Sequence, residues 1–165
     1  MTSNSIGRVG AWLAMLSWPV LIAGFVLEND LVIAVAQVMT VPFFYALILA
    51  HRSRSGSLAM AGGYAAILGT VLGGIASGNV EGTLWLVGSV LSGLGVLVFG
   101  YLGLSSPIVS KVLAVVGLAF GVLQTISSFV PLPDESIVGP LTVLTGLIWT
   151  VWLSVLFLRG RMVEA

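Results

Sequence analysis

Neutral hydrogen-bonding side chains recur inside the apolar runs of this sequence, and their residue types suit two kinds of role. In a membrane such side chains join neighbouring helices, at about 0.6 to 2 kcal/mol per contact. They also line passages for neutral or amphiphilic solutes, because they offer hydrogen bonds without charge. The sequence leaves both interpretations open. The candidates are Gln37, Thr40, Tyr64, Gln124, Thr125, Ser128, Thr142 and Thr145.

Catalytic and metal-binding residues are not indicated. No Asp, Glu, Lys or Arg lies in the middle of an apolar run, whereas proton relays, ion paths and voltage sensors usually need such residues inside the membrane. His51, the single histidine, stands beside Arg52 and is expected to contact a helix C-terminus and lipid headgroups. A general base needs a positioned partner, and a metal site needs several clustered donors. We therefore expect no enzyme activity, catalytic residue, metal or cofactor.

The composition is that of a membrane protein. Of the 165 residues, 58% are hydrophobic and 7% are charged, against about 25% charged residues in soluble domains. The mean hydropathy is +1.16. The formal net charge is zero, so no nucleic-acid partner is indicated and the lipid bilayer is the expected surrounding.

Six apolar runs organise the chain, and each is close to the roughly 20 residues that cross about 30 Å of hydrocarbon. The first run is longer than the roughly 7 to 15 apolar residues of a signal peptide, so we interpret it as a retained span. The sequence predicts an all-α, six-transmembrane-helix bundle that forms a single transmembrane domain over residues 1–165. The predicted spans are 9–27, 31–50, 58–77, 83–104, 110–130 and 138–158.

The third span is unusually rich in glycine, and its small residues recur at i, i+4, i+7 and i+11 on one helix face. Small residues let helix backbones approach closely in lipid. We expect this face to pack on the fourth span through Ser89 and Gly93, and Gly117 and Gly121 give the fifth span a similar face. The four small residues of the third span are Gly62, Ala66, Gly69 and Gly73.

These faces favour one function and leave another open. The first hypothesis is a non-catalytic packing or scaffold subunit, which associates with itself as a homo-oligomer or with a larger membrane protein through its glycine-lined faces. The alternative is a small permease or channel for a neutral or amphiphilic solute. An even number of spans also permits an inverted repeat, although internal sequence similarity is weak.

The charged residues indicate the orientation. All six basic residues fall on one side of the predicted bundle, and five of the six acidic residues fall on the other, at Glu28, Asp30, Glu81, Asp134 and Glu135. Cytoplasmic loops carry an excess of Lys and Arg. Both termini are therefore predicted to be cytoplasmic, in a plasma membrane or a bacterial inner membrane. The basic residues are Arg8, Arg52, Arg54, Lys111, Arg159 and Arg161.

This orientation predicts that topology reporters fused after Ala165 and inserted at Asn79 give opposite signals, because the two sites lie on opposite sides of the membrane. Activity of a cytoplasmic reporter at the first site and of an extracytoplasmic reporter at the second is the expected result. Signals from the same side at both sites would rule out the six-span arrangement.

Overall fold

The computed structural model describes residues 3–79, 82–129 and 137–164, and within these ranges the chain is helical and contains no strand. Four helical stretches are long and apolar enough to cross a membrane, namely Ser5–Val26, Asp30–Ile75, Thr83–Ser105 and Val138–Leu158, and the apolar helix Lys111–Ser127 is shorter. The predicted all-α class is confirmed. The helices are α1 (Ser3–Val26), α2 (Asp30–Met39), α3 (Val41–Ile75), α4 (Thr83–Ser105), α5 (Lys111–Ser127) and α6 (Val138–Leu158), followed by a 3-10 turn (Arg161–Glu164).

The predicted second span is divided at Thr40, where α2 ends and α3 begins. Pro42 causes the division, because proline has no N–H to donate and its ring crowds the preceding turn. The polar groups of Thr40 provide hydrogen bonds at this division. Its Oγ1 donates to the Gln37 carbonyl at 2.8 Å, and its carbonyl accepts from the Phe43 and Phe44 N–H groups at 3.1 and 3.2 Å. The backbone around the division therefore stays hydrogen-bonded.

Helix α3 consists of two limbs that meet at Ser55, whose φ of −148° and ψ of 55° are not helical. The first limb is 41–54 and the second limb is 56–75. A straight helix over Asp30–Ile75, which has 46 residues, would be about 69 Å long at about 1.5 Å per residue. That length is more than twice the roughly 30 Å of a bilayer core.

The two limbs of α3 run antiparallel. Ile48 of the first limb lies against Gly63 of the second, where an added Cβ would overlap the Ile48 side chain. Further from the bend, Ser77 Oγ donates to the Asp30 carbonyl at 2.9 Å. The chain segments before and after the bend are thus in contact both near it, at Ile48 and Gly63, and far from it, at Asp30 and Ser77. The chain folds back on itself at Ser55, within the most polar stretch of the sequence.

The helical segments form a closed ring in chain order. Helix α1 packs on α2 and on α3, where Gly10 lies against Pro42 of the first limb. The second limb packs on α4 at Gly69, α4 packs on α5, and α5 packs on α6.

The ring closes where α6 contacts α1, since an added Cβ at Gly7 would lie 2.8 Å from Phe157 and one at Gly146 would lie 2.8 Å from Trp18. In the described part of the chain, helices on opposite sides of the ring make no backbone contact.

Side chains fill one half of the ring. We call the end that carries Arg8, Arg52, Arg54, Lys111, Arg159 and Arg161 the basic end, and the end that carries Glu28 and Asp30 the acidic end. Toward the basic end, Phe43 reaches across the interior and meets Trp149 edge to face at 6.1 Å and Phe157 at 5.9 Å. We call these three residues the aromatic plug. All three are buried, together with Leu47, Leu113 and Leu153 around them.

The second limb and α4 approach closely at glycines. An added Cβ at Gly69 would lie 2.8 Å from Ser92 Cα, and one at Gly88 would lie 2.8 Å from the Gly73 nitrogen. In the structure the second limb, which covers most of the third predicted span, lies against α4. Its partners at Gly69 are Gly88 and Ser92, however, and not the predicted Ser89.

The other predicted small residues also lie at contacts within the chain. Gly93 faces α5, where an added Cβ at Gly121 would lie 2.8 Å from the Gly93 carbonyl oxygen. Added Cβ atoms at Gly62 and Gly117 would overlap Val98 and Trp149. Ala66 is fully buried against Gly95 of α4.

These contacts predict different effects for two neighbouring substitutions. Gly69→Ala places a methyl group against the α4 backbone, which cannot move aside as a flexible side chain does, and overpacking of this kind costs about 1 to 3 kcal/mol. Gly73→Ala is the matched control, because its Cβ would meet only Gln37, at 3.8 Å. Thermal unfolding in detergent should show a lower melting temperature for Gly69→Ala alone. Equal melting temperatures would contradict close packing at Gly69.

Candidate functional site

A cavity of about 310 Å³ lies inside the ring, on the acidic-end side of the aromatic plug. All six helices contribute to it. Successive helical segments alternate in direction, so the C-terminal half of one segment lies beside the N-terminal half of the next at the acidic end. Its wall contains the C-terminal halves of α1 and α5 and the N-terminal halves of α4 and α6. Phe43 and Trp149 form its floor. Its polar lining residues are Ser17, Gln37, Thr40, Thr70, Ser89, Ser92, Gln124, Ser127, Ser128, Thr142 and Thr150.

The remaining wall is apolar and largely aromatic. Trp18 of α1 and Phe120 of α5 both pack on Gly146 of α6, where an added Cβ would lie 2.8 Å from the Trp18 ring and 2.7 Å from the Phe120 ring. The absence of a side chain at Gly146 therefore allows two rings to reach the interior. None of the lining residues is charged. The apolar lining residues are Trp18, Leu21, Phe25, Ala36, Phe43, Phe44, Trp85, Val96, Phe120, Val143 and Trp149.

Gln124 forms a hydrogen bond between two helices of this wall and also carries a buried unpaired atom. Its Nε2 donates to Ser92 Oγ at 3.2 Å, which links α5 to α4. Its Oε1 is buried and has no hydrogen-bond partner. Most buried polar atoms in folded proteins are paired, and leaving one unpaired costs about 1 to 3 kcal/mol. Gln124 Oε1 is one of three buried polar atoms in the described part of the chain that lack a partner, with His51 Nε2 and Ser154 Oγ.

The hydroxyl groups in the wall mostly donate to their own helices. Thr70 Oγ1 donates to the Ile67 carbonyl at 2.9 Å, and Thr142 Oγ1 donates to the Val138 carbonyl at 2.7 Å. A hydroxyl has one proton to donate and two lone pairs that accept. Once its proton is used within the helix, it offers the cavity only an acceptor.

The structure brings five of the eight predicted polar residues together and places three elsewhere. Tyr64 is 58% exposed on the outside of the second limb. Thr125 donates to the Gly121 carbonyl at 2.8 Å and lies against Gly93, and Thr145 donates to the Leu141 carbonyl at 2.7 Å. The five that line the cavity are Gln37, Thr40, Gln124, Ser128 and Thr142.

Sequence reasoning missed several lining residues for which a signal existed. Trp85, Ser89, Ser92 and Val96 are spaced at i, i+4, i+7 and i+11, which places them on one face of α4. Ser89 was assigned to packing on the third span, but it lines the cavity instead. The other missed polar residues, Ser17 and Thr70 among them, stand alone in apolar surroundings and carry no such signal.

His51 lies in a different place from that expected. It is buried, with Nδ1 3.1 Å from the Leu47 carbonyl oxygen and its ring 5.9 Å from the Phe99 ring. It therefore packs in the core near the bend of α3 and is not available to headgroups. In the described ranges, no three His, Cys, Asp or Glu side chains lie close enough together to hold a metal.

The fold and the cavity define the class of protein as an all-helical protein whose long apolar helices are compatible with a multi-pass membrane protein. Comparison with known proteins does not narrow this class, because no family model, no curated protein and no solved structure matches the chain.

The chain has no cysteine, so single thiols can test access to the cavity. Ser89→Cys places a thiol on the cavity wall, and Ser154→Cys is the matched control at a fully buried position of α6. A small hydrophilic thiol reagent should label the first variant to completion and leave the second unlabelled, as read by intact mass. Equal labelling of both variants, or of neither, would contradict an accessible cavity.

Proposed function

We propose that this protein is a six-span integral membrane protein, with both termini in the cytoplasm, that binds a neutral or amphiphilic small molecule in its central cavity and acts as a small permease. The observation that carries the proposal is the cavity itself, which all the helices line with neutral polar and aromatic side chains and without charge. Ligand pockets typically combine an apolar wall with a few placed polar groups.

The antiparallel limbs of α3 support the six spans. Together with α2, the first limb forms one segment of nearly bilayer length, and the second limb forms another. Each of the six segments then runs opposite to its neighbours in the ring. The shorter α5 ends at Ser127, and the predicted end of its span at Val130 lies outside the described residues.

The distribution of charge supports the orientation. The six basic residues of the sequence lie at the basic end, and Glu28 and Asp30 lie at the acidic end. The other acids predicted for that end, Glu81, Asp134 and Glu135, lie outside the described residues. Because basic residues are retained in the cytoplasm, the cavity lies on the side away from the cytoplasm. The membrane is a plasma membrane or a bacterial inner membrane.

The glycine contacts favour solute binding over the scaffold hypothesis. A scaffold that associates through glycine-lined faces needs those faces to be free. Gly69, Gly93 and Gly121 instead lie against backbone of their own chain. The space that these glycines leave is therefore occupied by helices of the same subunit. Association with a second copy or a larger membrane protein would have to use the outer apolar surface, which in a bilayer also faces lipid.

Passage of a solute needs the aromatic plug to open. Phe43 separates the cavity from the basic end, and it follows the division between α2 and α3 directly. Interrupted helices beside a central site are typical of secondary transporters. The position of Phe43 next to such an interruption gives the plug a point about which it can move.

A cavity-filling substitution tests this function. Ser89→Trp puts an indole into the cavity, and Val115→Trp is the matched control on α5, since Val115 is 55% exposed on the outside. Purification in mild detergent followed by native mass measurement should find a single subunit with a bound small molecule. The molecule should be retained in Val115→Trp and lost in Ser89→Trp.

Two outcomes would contradict the proposal. An oligomer or a co-purifying protein, with no bound small molecule, would support the scaffold function instead. Equal retention of the small molecule by Ser89→Trp and the parent protein would place the bound molecule outside the cavity. Flux of neutral solutes into liposomes that Ser89→Trp reduces and Val115→Trp preserves would extend binding to transport.

A further inference from the structure

We infer that the cavity takes neutral molecules with a carboxamide or a similar group, in which a hydrogen-bond donor and an acceptor lie side by side, and that Gln37 recognises this group. The inference rests on the proposed function, because it names the class of molecule that the same cavity binds. Three observations carry it: the unused amide of Gln37, the glycines against which this amide lies, and a wall that offers donors and acceptors without charge.

Gln37 presents an unused amide to the cavity. The residue is half-buried and lines the cavity near the end of α2. Its backbone carbonyl accepts from Thr40 Oγ1 at 2.8 Å, but among the described residues its side-chain Oε1 and Nε2 have no hydrogen-bond partner. Neither atom is one of the buried unpaired atoms, so both keep accessible surface. Both ends of this amide are therefore free to bind a molecule in the cavity.

Two glycines of the second limb leave the space in which this side chain lies. An added Cβ at Gly74 would lie 3.6 Å from Gln37 Cβ, and one at Gly73 would lie 4.0 Å from both Nε2 and Oε1 of the amide. The side chain thus extends along the backbone of the second limb. A side chain that is already packed loses less conformational freedom on binding than a free one. Gln37 therefore offers its donor and its acceptor in a fixed arrangement.

Gln124, the other glutamine of the chain, does not offer this arrangement. Its Nε2 donates to Ser92 Oγ at 3.2 Å, and its Oε1 is fully buried. That amide is committed to the contact between α5 and α4. Among the described residues that line the cavity, Gln37 alone carries a free donor and a free acceptor on two atoms of one planar group.

The hydroxyl groups of the wall can pair with either end of a ligand amide. Ser89 and Thr150 line the cavity, and in the described part of the chain their hydroxyls donate to no other group, so each can donate to a ligand carbonyl. Thr70 lies one turn before Gly73, and its hydroxyl donates to the Ile67 carbonyl at 2.9 Å. It keeps lone pairs that accept from a ligand N–H. A molecule that both donates and accepts therefore finds partners of both kinds.

The absence of charge restricts the group to neutral forms. No lining residue is ionisable to a carboxylate, ammonium or guanidinium. An amidinium or a carboxylate has the planar shape of a carboxamide, but it would lose its hydration on entry without meeting an opposite charge, which is far more costly than burial of a neutral group. Aromatic side chains such as Trp18 and Phe120 line the rest of the cavity and can contact the apolar part of the molecule.

Three probes that share one ring separate these features: benzamide, acetophenone and benzamidinium. Acetophenone has a methyl group in place of the NH2 group of benzamide and only accepts, whereas benzamidinium keeps the planar shape but is charged and only donates. Their binding to the full chain in lipid nanodiscs is measured by ligand-observed NMR, with empty nanodiscs subtracted and Ser89→Trp as the filled-cavity reference. Benzamidinium should bind more weakly than benzamide.

Substitution of Gln37 tests the assignment to that residue. Gln37→Met keeps the length of the side chain and removes the amide, so the ratio of the acetophenone Kd to the benzamide Kd should fall about fivefold, a factor that corresponds to about 1 kcal/mol for one hydrogen bond. Comparing this ratio between variants cancels the different solubilities of the two probes. Thr125→Val is the control, because Thr125 lies outside the cavity and its hydroxyl is bonded to the Gly121 carbonyl. It should keep the parent ratio.

The parent protein allows a second measurement, because Gln37 and Gln124 are the two glutamines of the chain. Selective ¹⁵N labelling of glutamine gives two side-chain NH2 signals, which a variant of either residue assigns by the loss of one signal. Benzamide and acetophenone carry the same ring, so a larger shift with benzamide reports hydrogen bonding. Benzamide should shift the Gln37 signal more than acetophenone does, and the Gln124 signal should respond equally to both probes.

The outcomes distinguish the two proposals. If no probe binds the parent protein more than it binds Ser89→Trp, the proposed function fails and amide recognition fails with it. If the probes bind the cavity but benzamide and acetophenone shift the Gln37 signal equally, the proposed function stands and recognition by Gln37 is overturned. An unchanged affinity ratio in Gln37→Met also overturns it, and tighter binding of benzamidinium than of benzamide overturns the selection of neutral amides. The labelled parent protein carries the test if Gln37→Met folds poorly.

Discussion

Close backbone contact between the second limb of α3, α4 and α5 is the interaction on which the rest of the structure depends. In lipid the hydrophobic effect does not hold helices together, so close van der Waals packing takes its place. Gly69 lies against the α4 backbone on one side of α4, and Gly93 lies against Gly121 on the other. These contacts fix three neighbouring segments as one rigid wall of the ring. Helices α1 and α6 complete the ring through side chains instead, such as Phe157 against Gly7 and Trp18 against Gly146.

The cavity follows from this difference between helices that meet backbone to backbone and helices that meet through side chains. A ring of helices encloses an interior that side chains must fill, and toward the basic end Phe43, Trp149 and Phe157 do so. Toward the acidic end, Trp85 and Phe120 are the aromatic residues that α4 and α5 contribute to the lining, and the other inward positions include Ser89, Ser92 and Gln124, which do not fill the interior as rings would. The volume therefore remains open in one half and closed in the other. Pro42 and Thr40 at the division of α2 and α3 lie directly before Phe43, where the boundary falls.

The sequence predicted the helices because their signals are strong, but it predicted the cavity only in part. Long apolar runs and polar connections such as the stretch around Ser55 identify the helical segments without knowledge of their packing. In a membrane, however, the lipid-facing side of a helix is as apolar as the buried side, so hydrophobic periodicity does not tell which face turns inward. Tyr64 and Gln124 are both hydrogen-bonding residues within apolar runs, yet Tyr64 lies outside the ring and Gln124 lines its interior. Small residues carry information about packing that apolar residues lack. Gly69 lies against α4, and its contact is Ser92, one helical turn from the predicted Ser89.

The state of Gln124 bears on whether the polar residues serve packing or binding. A pair of residues that only joins helices gains most when all of its donors and acceptors are satisfied, because a half-satisfied buried network is costly in a medium of low dielectric constant. Gln124 and Ser92 join α5 to α4, but the amide keeps a buried oxygen without a partner beside an open volume. A residue that only joins two helices does not need an unpaired oxygen, since an apolar side chain at position 124 would fill the space without the cost of burying an unpaired polar atom. The hydrogen bond between Gln124 and Ser92 therefore accounts for a contact between α5 and α4, whereas the proposed binding function rests on the cavity beside it, which that contact does not require.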